Sequence, residues 1–96
     1  MAQMEVKEAV KLAKNYIADM FEGEDISNIG LEEVDFNDAK SKWLITIGFF
    51  RPWERPGNNI FTTADMIRRN IRTYKVVYID DTLKRVDAVK NLDMGS

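Results

Sequence analysis

Trp43-Leu44-Ile45-Thr46-Ile47-Gly48-Phe49-Phe50 is the strongest strand signal in the chain. Successive side chains of a strand point to opposite faces. Trp43, Ile45, Ile47 and Phe49 therefore share one face, and Leu44, Thr46, Gly48 and Phe50 share the other. Apolar groups on both faces mark a strand with neighbours on either side, placed centrally in a sheet.

Working outward, residues 73–80 alternate again, with Tyr74, Val76 and Tyr78 opposite Thr73, Val77 and Ile79. Asp80-Asp81-Thr82 supplies a turn, and residues 85–92 form a more polar strand suited to an edge. On the other side, the polar run Asn37-Asp38-Ala39-Lys40-Ser41-Lys42 predicts a hairpin loop leading back to a weaker strand over residues 29–36. Strict alternation there puts Ile29 and Leu31 on one face and Val34 and Phe36 on the other. A bulge or register change is expected between them, near Glu32-Glu33.

Before these strands the period is that of a helix. Val6, Ala9, Val10, Ala13, Tyr16, Ile17 and Met20 recur at spacings of three and four, while Glu5, Lys7, Glu8, Lys11, Lys14 and Asp19 fall outside the stripe. Gly23 is suited to ending the helix in a left-handed conformation. The expected fold is a single α+β domain over residues 1–96, an N-terminal amphipathic helix packed on a four-stranded antiparallel sheet. A long insertion separates strands two and three. It spans residues 51–72 and holds Pro52, Pro56, Gly57 and Asn58-Asn59, with Thr62 or Thr63 placed to cap a short helix over residues 64–70.

This order, with the closing hairpin Thr73-Tyr74-Lys75-Val76-Val77-Tyr78-Ile79-Asp80-Asp81-Thr82 running into Val86, resembles the PepSY-like branch of the cystatin-like folds. Leu83-Lys84 stands where that family carries a Thr-Gly turn. The resemblance implies a helix laid on an antiparallel sheet, no catalytic residue, and a role in peptidase inhibition or regulation outside the cytoplasm.

Composition restricts the chemistry. The chain has no cysteine and no histidine, which removes disulfides, thiolates, imidazole bases and the usual zinc ligands. No stretch approaches the ~20 apolar residues that span a bilayer, and the charged first twenty residues do not read as a signal peptide. A cytoplasmic protein is expected. Carboxylates at Glu33, Asp35, Asp80 and Asp81 are candidates for acid–base work, but no spacing brings two of them together. The expectation is a protein that is not an enzyme and needs no cofactor or metal.

The net charge of −2 conceals two opposed regions. Residues 51–75 carry six cations (Arg51, Arg55, Arg68, Arg69, Arg72 and Lys75) against Glu54 and Asp65, a net +4 that leaves −6 for the remainder. Residues 19–38 hold eight carboxylates and no Lys or Arg. In the basic segment Trp53 stands between Arg51 and Arg55 on a Pro-stiffened stretch, the residue types enriched at binding hot spots. Two main readings stay open. Trp53 folds back over the sheet while the arginines pair with the acidic half, or Arg51, Trp53, Arg55, Arg68, Arg69 and Arg72 form a surface for a protein partner or self-association. A sequence pI near 5.1 disfavours nucleic acid. The acidic segment reads as a solvated rim, or as a surface that masks a basic enzyme in the manner of an inhibitor or immunity protein. Glu24-Asp25 and Glu32-Glu33 lack the loop spacing of a calcium site.

Tyr74 and Tyr78 share a strand face, and Trp43 is expected near them on the neighbouring strand. With one helix available, Leu44, Phe50, Tyr74 and Tyr78 compete for cover, and an uncovered patch predicts a homodimer through the sheet or an edge strand.

Overall fold

A computed structural model of the chain describes residues 2–51 and 73–92. Helix α1 runs Val6–Met20. Strands β1 (Ser27–Asn37), β2 (Lys42–Phe50), β3 (Thr73–Asp80) and β4 (Arg85–Asn91) pair antiparallel in the order β1-β2-β3-β4, a meander with β2 and β3 inside. The short helix expected over residues 64–70 lies outside the described residues, as do Trp53, Arg55, Arg68, Arg69 and Arg72.

The helix begins where Glu5 N–H donates to the Glu8 carboxylate at 2.9 Å. That bond satisfies an orphan donor and sets negative charge in the first turn. It ends at Phe21, whose N–H reaches the Ile17 carbonyl at 3.0 Å, and Gly23 takes φ +91° two residues later. Ala9, Ala13 and Ile17 are fully buried against the sheet. Val6, Tyr16 and Met20 keep 49%, 41% and 46% of their surface exposed, so the stripe is covered chiefly in its middle.

The helix packs on the odd-numbered face of β2. Trp43, Ile45, Ile47 and Phe49 form the core with Val77 and Ile79 of β3, all buried. Phe49 meets Phe21 with ring centroids 5.0 Å apart, and Trp43 meets Phe36 at 4.9 Å. Both contacts are tilted, the offset geometry that aromatic quadrupoles favour.

The expected bulge in β1 lies where the polar interruption placed it. Leu31 pairs with Ile47 and Val34 with Ile45, with a register shift between Leu31 and Glu33. The extra residue brings Leu31, Val34 and Phe36 opposite core-facing residues of β2, although their sequence parity differs. A second shift between Ser27 and Gly30 includes Asn28 at φ +54°, a conformation Asn tolerates better than most residues. A third, between Tyr78 and Ile79 against β4, carries Asp87.

One expectation is corrected. Trp43 pairs with Ile79 and belongs to the helix side, whereas Tyr78 pairs with Leu44 on the opposite face. The register alone separates the indole from the tyrosines, because adjacent residues of β2 point to opposite sides.

Candidate functional site

On the face away from α1 the register aligns side chains in rows across all four strands. One row is Glu33, Thr46, Val76 and Lys90, and the next is Asp35, Leu44, Tyr78 and Ala88. A third, at the hairpin end, is Asn37, Lys42, Asp80 and Arg85. The middle of the face is apolar or neutral, with Thr46 and Val76 buried and Leu44 and Tyr78 half-buried. Its margins carry opposite charge. Glu33 and Asp35 stand exposed on β1, and Lys90 stands exposed on β4 with its ammonium 5.2 Å from the Tyr78 ring centroid.

Open depressions lined by described residues indent this face. One of about 290 Å³ lies over Leu44, Tyr78 and Ala88 beneath Lys40, Lys42 and Lys90. Another, about 310 Å³, lies over Thr46 and Val76 between Glu33 and Lys90. Each is at the lower limit of volumes that enclose a small ligand, and Leu44, Tyr78 and Lys90 line both. Lys42 is paired within the chain, bonded to Asp87 and 3.9 Å from Asp80.

Arg51, the one described member of the predicted basic surface, is engaged within the molecule. Its Nη2 donates to Glu24 Oε1 at 3.0 Å, and its guanidinium carbon lies 5.0 Å from the Phe21 ring centroid. Lys75, at the other end of the basic segment, places its ammonium 5.9 Å from the same ring. The last turn of α1 contains no basic residue of its own. Arg51 and Lys75 thus bring positive charge to a helix C-terminus that favours it, and one acidic–basic pairing considered from sequence is realised in Arg51–Glu24.

The candidate carboxylates divide by environment. Asp81 is 1% exposed and accepts three hydrogen bonds, from Gln3 N–H at 2.6 Å, Met4 N–H at 2.8 Å and Trp43 Nε1–H at 3.0 Å. Burial by itself would raise its pKa, but the donors from Gln3, Met4 and Trp43 outweigh that effect and hold the carboxyl below its ordinary value. The carboxylate clasps the segment leading into α1 to the β3–β4 turn and to the core indole. Asp80 accepts Leu83 N–H at 2.8 Å, and Asp35 accepts the N–H of Phe36 at 2.9 Å. Nothing in the sequence of Asp80-Asp81 distinguished the anchor from its turn-forming neighbour. Among the described residues, no group of three or more His, Cys, Asp or Glu side chains is placed to hold a metal ion. No helix there is long and apolar enough to cross a membrane.

No protein-family model, no curated protein and no solved structure matches the chain.

Proposed function

We propose that the protein is a small, non-catalytic binding module that meets a protein partner through the face of its sheet that points away from α1. The observation that carries this reading is the indented, half-buried Leu44–Tyr78 centre set between charged margins, a contiguous apolar patch with a polar rim. The proposed contact surface also takes in Trp53, Arg55, Arg68, Arg69 and Arg72, which lie outside the described residues. Helix first, then a four-strand meander, supports grouping the chain with the cystatin-like folds. A reducing, cytoplasmic setting fits the absence of cysteine.

Affinity capture from cells with the parent, with Leu44→Lys and with the Trp53→Ala, Arg55→Ala double variant tests this reading. Leu44→Lys is expected to lose partners that the parent retains. Retention of every partner by both variants, with the fold intact by circular dichroism, rejects it.

The acidic margin favours a second reading, in which the carboxylates of residues 19–38, Glu32 and Glu33 of β1 among them, mask a basic enzyme surface. Charge reversal at both residues should then abolish binding at low salt, where unscreened charge contributes most.

A further inference from the structure

Taking the face that points away from α1 as a contact surface, we infer that its occupant is a second copy of this chain, packed face to face about a two-fold axis running along the strands between β2 and β3. Two sheets packed in this way lie about 10 Å apart with their strands roughly 30° from alignment. A two-fold dimer must present one patch to itself. Rotation about an axis along the strands exchanges β1 with β4 and β2 with β3 while keeping each row at its own height. The row Glu33, Thr46, Val76, Lys90 then faces the same row reversed. Glu33 of each protomer meets Lys90 of the other, and the neutral Thr46 and Val76 meet in the middle.

Neither neighbouring row sets like charges together, although in one of them Asp35 falls on Ala88 of the second copy. In that row, Leu44 faces Tyr78 of the second copy, apolar against aromatic. In the other, Lys42 faces Asp80. A two-fold axis across the strands instead lays β1 on β1 and brings Glu33 and Asp35 against their own copies, an arrangement that like charge opposes. Charge therefore selects one of the two symmetric packings. Four strands about 4.8 Å apart and some seven residues long offer roughly 450 Å² per protomer, about 900 Å² in all and below the ~1,200 Å² of stable specific interfaces, so the association is weak and depends on concentration.

Sedimentation equilibrium of the full chain, followed to millimolar concentration, tests the inference with variants at two exposed positions. The parent is expected to self-associate. Glu33→Lys sets lysine against Lys90, and Lys90→Glu sets glutamate against Glu33, so each variant alone should associate at least about tenfold more weakly. An equimolar mixture of the two should recover association, because each variant then faces its opposite charge at both contacts. A general loss of stability would not give that recovery. A monomeric parent, single variants that associate as the parent does, or a mixture that fails to recover would each overturn the dimer. A monomeric parent whose Leu44→Lys variant still loses a captured partner would sink the dimer and leave the binding reading standing.

Discussion

Trp43→Ala removes the side chain on which the helix-side core and the N-terminal clasp both depend. The indole is 5% exposed, tilts against Phe36, and donates its N–H to Asp81. Burial of an aromatic side chain covers about 150–250 Å². At about 25 cal/mol per Å² this corresponds to roughly 4–6 kcal/mol of transfer free energy. Alanine retains part of that contribution and the cavity partly collapses, so a loss of about 3–5 kcal/mol is expected. Against a typical domain stability of about 5–15 kcal/mol, that is a large fraction of the total. The melting temperature should fall by at least about 12 °C. Urea unfolding followed by far-ultraviolet circular dichroism measures the change without relying on the removed fluorophore. Trp43→Phe keeps a ring beside Phe36 but lacks the N–H, and should lose less. A loss below about 1 kcal/mol for alanine would refute the placement of this residue between sheet and helix.

Asp81→Asn keeps the shape of the anchor and removes its charge. The folded carboxyl titrates below its ordinary value of 3.8. Its contribution to stability is therefore complete above that value and is lost as pH falls through the lower, folded one. The gap in melting temperature between parent and Asp81→Asn should be steady from neutral pH down to about 5 and close in more acid solution. A gap that stays unchanged into strong acid would show that the charge is not the source. Gly23→Ala should destabilise by roughly 1–2 kcal/mol, the cost of a Cβ in left-handed backbone. Apart from its chain neighbours, no atom of the described residues lies within 4 Å of the added carbon, so the penalty is conformational, and Asn at this position should cost less. A neutral alanine in a thermal melt would mean that the end of α1 rearranges cheaply.

Local periodicity carried most of the fold. The alternation of residues 43–50 and 73–80 specifies strand faces directly, and the recurrence of Ala9, Ala13 and Ile17 specifies the buried line of the helix. The Glu32-Glu33 interruption disclosed the β1 bulge because apolar residues on both sides of it cannot satisfy one face without an extra residue. Placing Trp43 beside the tyrosines failed because neighbourhood across strands depends on register, which is set by the hairpin turn and cannot be read from either strand alone. Legibility of the candidate site stopped at the same point. Leu44, Tyr74 and Tyr78 were recognisable as residues short of cover, but the alignment of Glu33 with Lys90 passes through three separate pairings. Asp81 was hidden for a related reason, since its donors at Gln3 and Met4 lie 78 and 77 residues away in sequence.

That distance has a kinetic consequence. The clasp closes a loop containing the helix and three complete strands, so its contacts form only after the entropy of bringing the two ends together has been met. It is therefore expected on the late side of the folding barrier, so that Asp81→Asn should raise the unfolding rate more than it lowers the folding rate in stopped-flow measurements. The N-terminal residues, ordinarily the first to fray, are tied by this carboxylate to the lifetime of the whole domain.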